Sequence, residues 1–122
     1  MLTRTEARKI ALSVPGTREK LYFNKPSIFH GDDFVAVVHD KHPAVVLRVS
    51  SIEMRDMMLE AEPALFYITD HYKNWPGLLV RLEALDRAIL KALIGARIAQ
   101  LDAMPSKKPR KPLKKAKKVT KR

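Results

Sequence analysis

Ten of the chain's 24 basic residues fall after Met104, and no acid does: Lys107, Lys108, Arg110, Lys111, Lys114, Lys115, Lys117, Lys118, Lys121 and Arg122. Residues 1–104 are left with a formal charge of +1 out of the whole chain's +11. The Lys-Pro and Lys-Ala patterning of this segment includes no aromatic ring, so it can neutralise phosphate but cannot stack on bases. A flexible polycation displaces condensed counterions from a polyphosphate, which drives salt-sensitive binding. Phosphate contacts of this kind position a protein without reading sequence. DNA, or RNA, is therefore the expected partner. An anionic membrane surface is the weaker rival: each Lys near it contributes about 1 kcal/mol, but no lipidation motif or amphipathic anchor accompanies the segment. The plain alternative is a solvated tail that only keeps the chain soluble.

Within the nearly neutral remainder, Arg48 and Arg81 are expected on the sheet face opposite the core, where two guanidiniums could grip a phosphate or carboxylate. The bland alternative pairs each with a neighbouring acid such as Glu83. The loop from Asp70 to Gly77 mixes Tyr72 and Trp75 with Lys73 and Asn74, a set suited to stacking on unpaired bases while touching phosphate. The same rings could equally close one end of the core. Together with Lys25 these residues make a candidate ligand or DNA face: Lys25, Arg48, Tyr72, Lys73, Trp75 and Arg81. The turns Gly31-Asp32-Asp33 and Asp40-Lys41-His42-Pro43 are candidate wing tips, the first disfavoured by its acids.

Enzyme chemistry finds little to work with. The chain has no cysteine, hence no thiolate nucleophile, disulfide framework or cysteine-held metal. His39 and His42 lack an obvious third ligand, so no metal site is expected. Asp70 and His71 are adjacent on a strand end and point apart. Ser13, Ser27, Ser50 and Ser51 sit in no nucleophile elbow, and the four glycines are too scattered for a phosphate loop. No catalytic residue and no cofactor is expected.

The elements that must position these residues are legible from periodicity. Thr3 with Glu6 forms a capping box, and Ala7, Ile10, Ala11 and Val14 make the apolar stripe of a first helix, which Pro15-Gly16 ends. Three strands are expected over 26–30, 34–39 and 44–49. Alternation places Val45, Leu47 and Val49 on one face and Val46 and Arg48 on the other. Ser50 with Glu53 reads as a second capping box, opening a helix that Pro63 stops. Strands over 65–69 and 78–83 follow, the second with Leu78, Val80 and Leu82 on a common face. Asp86 caps a last helix carrying Ile89, Leu90, Leu93, Ile94, Ile98 and Leu101 to about Met104. The order α-β-β-β-α-β-β-α predicts an α+β domain, an antiparallel sheet of about five strands with helices on one face. The domain spans 1–104, and a disordered basic tail spans 105–122.

Several strings together resemble the MmcQ/YjbR family of bacterial proteins. They are Ala11-Leu12-Ser13-Val14-Pro15-Gly16-Thr17, Lys25-Pro26-Ser27-Ile28-Phe29, Leu47-Arg48-Val49, the helix from Glu53 to Leu59, and Ile68-Thr69-Asp70-His71-Tyr72 leading into Trp75-Pro76-Gly77-Leu78-Leu79-Val80-Arg81-Leu82. The resemblance covers residues 3 to about 102 and implies a CyaY-like fold whose hairpins act as a double-wing DNA-binding motif. It brings no shared catalytic set, and the Lys-rich tail departs from the family pattern. Frataxin-like iron binding is not expected, because Glu6 on the first helix is outnumbered by Arg4, Arg8 and Lys9. The combined expectation is a monomeric, non-enzymatic, nucleic-acid-associated protein. The alternative is a module for a small anionic ligand or a protein partner, which the tail only localises. With no 20-residue apolar run and no apolar leader, a cytoplasmic, nucleoid-associated location is expected.

Overall fold

The computed structural model describes residues 2–103, so every expectation placed on the basic tail lies outside the described residues. Thr3 opens α1 (Arg4–Leu12) with the expected capping box: its hydroxyl accepts from the Glu6 N–H at 3.1 Å, and Glu6 Oε1 accepts from the Thr3 N–H at 2.9 Å. Then come β1 (Arg18–Tyr22), β2 (Lys25–His30), β3 (Asp33–Val38), β4 (Ala44–Arg48), α2 (Ile52–Ala61), β5 (Phe66–Tyr67), β6 (Gly77–Arg81) and α3 (Arg87–Ala103). The strands form one antiparallel sheet in the order β1-β2-β3-β4-β6-β5.

The fold is α+β, but it has six strands where five were expected. The extra one is β1, all of whose residues are exposed. It buries no alternating apolar face, so periodicity is silent about it. Its charges, Arg18, Glu19 and Lys20, suit a sheet edge that must not recruit another strand. β5 is only two residues long, and β6 stops at Arg81 because Leu82–Ala84 tightens into a 3-10 turn. The cap of α2 is Ser51, whose hydroxyl accepts from the Met54 N–H at 3.0 Å, one residue later than expected. Asp86 caps α3 as expected, its carboxylate accepting from the Ile89 N–H at 2.8 Å.

All three helices lie on one face. Ala7, Ile10 and Ala11 of α1 and Leu90, Ile94 and Ile98 of α3 pack on Ile28, Val45, Leu47, Leu78 and Val80, and Met54 and Met58 of α2 join the same cluster. A register slip between β2 and β3 at Ile28/Phe29 lets Val35 and Ala36 both reach this core. The opposite face carries no helix. There Ala44, Val46 and Leu79 form a small second cluster, flanked by Val37, Tyr67, Tyr72 and Trp75.

β2 leaves β3 early. Their pairing starts at Ile28, so Lys25, Pro26 and Ser27 pair only with β1, while Val37 and Val38 pair only with β4. Pro26 sits where this ladder fails, and its missing N–H is the local reason that the failure costs little. A gap therefore opens in the uncovered face between the β1–β2 hairpin and the rest of the sheet.

One polar latch closes the domain at the other end of β2. His30 Nδ1 lies 2.7 Å from the Gly16 carbonyl and Nε2 lies 2.6 Å from Asp102 Oδ1. Both partners only accept, so both bonds form only when the imidazole carries two protons. The Gly16 bond, then the Asp102 bond, raise the His30 pKa above its ordinary 6.5. Gly16 is required here, since it stands at φ 92 and a Cβ would come within 3.2 Å of the His30 ring. A raised folded pKa stabilises fully below the unfolded value of about 6.5 and loses that stabilisation as pH rises through the folded value. The melting temperature is therefore expected to fall across that interval in the native chain, and His30→Gln is expected to flatten the fall. Thermal denaturation of both chains over a pH series checks this.

Candidate functional site

The loop expected to carry rings and charge is held by a residue that was not singled out, Arg55. Its side chain is 5% exposed, and Nη1 donates to the carbonyls of Tyr72 at 3.1 Å, Lys73 at 3.0 Å and Trp75 at 3.1 Å. The same guanidinium pairs with Asp56 through Nη2 at 2.9 Å. The turns that follow the 3-10 turn over Asp70–Tyr72 already pair two of these carbonyls, Tyr72 with the Trp75 N–H at 3.0 Å and Trp75 with the Gly77 N–H at 2.8 Å, and Arg55 adds a second bond to each and takes up the Lys73 carbonyl. Trp75 is then laid flat across the start of β6. A Cβ on Gly77 would come within 1.9 Å of the indole, so glycine is what permits the approach.

Rings from four segments meet beside this loop. Trp75 lies 5.9 Å from Tyr72 and 6.1 Å from Phe34, Phe34 lies 5.6 Å from Tyr22, and Tyr22 lies 4.5 Å from Phe23. These centroid separations fall within ordinary aromatic contact. The chain of rings crosses the uncovered face from the 70–77 loop to the tip of the β1–β2 hairpin. It walls a cavity of about 460 Å³ that occupies the gap left where β2 departs from β3.

The hairpin tip is built against its own chemistry. Phe23 and Asn24 take φ 52 and 63 between the paired Tyr22 and Lys25, the left-handed pair of a two-residue type I′ turn. Asn tolerates this region, whereas a bulky residue is strained there by about 1–2 kcal/mol. Phe23 is nevertheless 81% exposed, and Leu21 beside it is 70% exposed.

Of the six residues expected on a ligand or DNA face, four line the cavity: Lys25, Arg48, Tyr72 and Trp75. Lys73 and Arg81 do not. Arg48 and Arg81 do share a face, but Arg48 pairs with Gly77 and Arg81 with Ala44, four residues apart along β4. That spacing is about 13 Å, and the two guanidiniums do not converge: Arg48 lines the cavity and Arg81 does not. Arg81 instead lies 4.4 Å over the ring of Tyr67. The sequence placed the two arginines on the right face but could not give their separation, because strand register was unknown.

The polar groups of the cavity are mostly donors. Arg48 Nε is buried with no hydrogen-bond partner among the described residues. Lys25 Nζ is steadied by Asp40 at 2.7 Å. His39 Nδ1 accepts from the backbone N–H groups of Lys41 and His42, each at 3.0 Å. That arrangement places the ring proton on Nε2, and burial, reinforced by the His42 charge, lowers the His39 pKa and keeps the ring neutral. The candidate metal pair His39/His42 is thus a turn-bracing pair, with rings 4.6 Å apart. Beyond Arg48, burial and then the Arg48 charge lower the pKa of Arg97 on α3, partly offset by Asp33. This end of the sheet is a cationic neighbourhood.

Asp32, read as an obstacle to phosphate, is flanked by Arg18 at 3.6 Å and Lys20 at 3.9 Å, so β1 partly neutralises that turn. Tyr22, Phe23 and Phe34 were missed as site residues. Asn24 at the second position of a two-residue turn was the available signal for the hairpin that carries two of them.

Arg55→Met is expected to destabilise the chain by about 2 kcal/mol, the cost of leaving the Lys73 carbonyl unpaired and stripping those of Tyr72 and Trp75 of their second bond. It is also expected to shift the emission of the single Trp to longer wavelength; denaturant melts read by Trp75 fluorescence check both. No helix among the described residues is long and apolar enough to cross a membrane. Comparison of the chain with family models, curated proteins and solved structures returned no match.

Proposed function

We propose that this chain is a non-enzymatic nucleic-acid-associated protein, and the segregation of its charge is the observation that carries this reading. Ten cations and no acid after Met104, against +1 for the rest, make a counterion-releasing segment joined to a domain of its own. The domain adds a face free of helices, rimmed by Lys25 and Arg48 and crossed by rings. The tail supplies sequence-blind affinity, and this face supplies the selectivity. Kinship with the MmcQ/YjbR family, its double-wing binding mode and a nucleoid location belong to the same proposal. They rest on the strings quoted above, and the monomeric state belongs with them.

A second reading has its own support. Arg48 alone, not an Arg48–Arg81 pair, reaches a concave aromatic cavity, which also suits a small anionic ligand, with the tail only localising the domain.

Among the described residues the core cluster runs from Ala7 to Leu101, so residues 1–104 hold a core of their own to compare with the full chain. The full chain, engaging about six phosphates, is expected to show a slope of log K on log salt near −5 on duplex DNA. Deleting 105–122 is expected to remove most of the affinity and flatten that slope. Salt-titrated binding of both chains to duplex DNA, single-stranded DNA and RNA checks this, and unchanged binding after deletion would overturn the assignment to the tail.

A further inference from the structure

We infer that the cavity on the uncovered sheet face receives one unpaired nucleobase with ring carbonyls and no exocyclic amine (thymine or uracil) of a single strand; this deepens, and rests on, the nucleic-acid reading above. Three observations converge on it. The walls are rings, and base–ring stacking needs a base whose face is free, whereas a duplex offers only base edges in its grooves. The volume of about 460 Å³ falls within the range of about 300–1,000 Å³ typical of small-ligand sites and is ample for a nucleoside.

The polar groups select further. Arg48 lines the wall as a half-buried residue whose Nε has no acceptor among the described residues, His39 carries its proton on Nε2 because Nδ1 already accepts two backbone bonds, and Lys25, with Nζ paired to Asp40, is a further cation of the lining. A ring carbonyl and a neighbouring phosphate satisfy such donors; an exocyclic amine would compete with them. Phe23 adds to these three. A strained, exposed aromatic at a turn position that glycine would fill better marks a place where function opposes stability. There it extends the ring wall to the cavity mouth, where the next base of a strand would lie. The chain's own tail is an unfit occupant, since it would bring cations to cations.

Trp75 is the only Trp and forms part of the wall, so stacking reports on its fluorescence. The full chain is titrated at about 0.5 M salt, where tail–phosphate binding is weak. The probes are oligo(dT) and oligo(dA) of about ten nucleotides, their duplex, and thymidine monophosphate, a strand length matching single-strand site sizes. Oligo(dT) is expected to quench Trp75 and to bind at least about tenfold more tightly than oligo(dA), with no quenching by the duplex. Phe23→Gly and Arg48→Gln are each expected to weaken oligo(dT) about tenfold without lowering the melting temperature, and Arg81→Ala to change nothing.

Equal quenching by the duplex or by oligo(dA) overturns the inference, as does silence from every probe. So does the free nucleotide binding as tightly as the strand, or a Trp75 spectrum altered by deleting 105–122 alone. Duplex binding at low salt without quenching leaves the proposed function standing and removes this inference only.

Discussion

The site rests on one buried cation. Arg55 stands on the helical side of the sheet and donates through a single nitrogen to the carbonyls of Tyr72, Lys73 and Trp75. The backbone of this tight loop pairs the Tyr72 and Trp75 carbonyls but not that of Lys73, which needs a donor from elsewhere, and a guanidinium meets all three at once in fixed geometry. With the loop held, the Trp75 indole lies over Gly77, in contact with Phe34, and the ring chain begins. The second constraint is the failed ladder at Pro26, which separates the β1–β2 hairpin from β3 and opens the space that those rings wall. One interaction fixes the loop and the other shapes the gap.

The two faces of the sheet consequently divide the work. The helical face holds the bulk of the apolar core, and the His30 latch ties α3 to the loop after α1 near the point where the basic tail begins. The opposite face keeps a small apolar cluster and leaves its rings and donors accessible. Stability and recognition are thereby nearly separable: Phe23, Arg48 and Lys25 contribute little to the main core, while Ile94 and Val35 contribute nothing to the cavity.

Much of this was legible in the sequence, for physical reasons that also explain the remainder. Alternation in β4 and β6 assigned Val45, Leu47, Leu78 and Val80 to the core face correctly, because one-sided burial enforces a period of two. Thr3 and Asp86 announced their helices through side chains matched to orphan N–H groups. β1 stayed hidden because an exposed edge strand buries nothing and so carries no period. Arg55 stayed hidden because an arginine amid methionines on a helix looks like surface, and its three acceptors lie seventeen to twenty residues away. Lys25, Arg48, Tyr72 and Trp75, expected on one face, line a common cavity. Arg81 does not, since its position depends on a strand register that composition does not encode. Phe34 meets Trp75, and Tyr22 meets Phe34, only once the sheet has formed, a tertiary fact with no local signature.

Nucleic acid is proposed to meet the domain on the uncovered sheet face. Backbone and side-chain NMR of the full chain, titrated with a short single strand in high salt, tests this. Shifts are expected to concentrate at the Trp75 indole, the Arg48 guanidinium, Phe34 and the Tyr22–Phe23 tip, with α1 and α3 unmoved. Shifts confined to residues 105–122, or lying on the helical face, would contradict it.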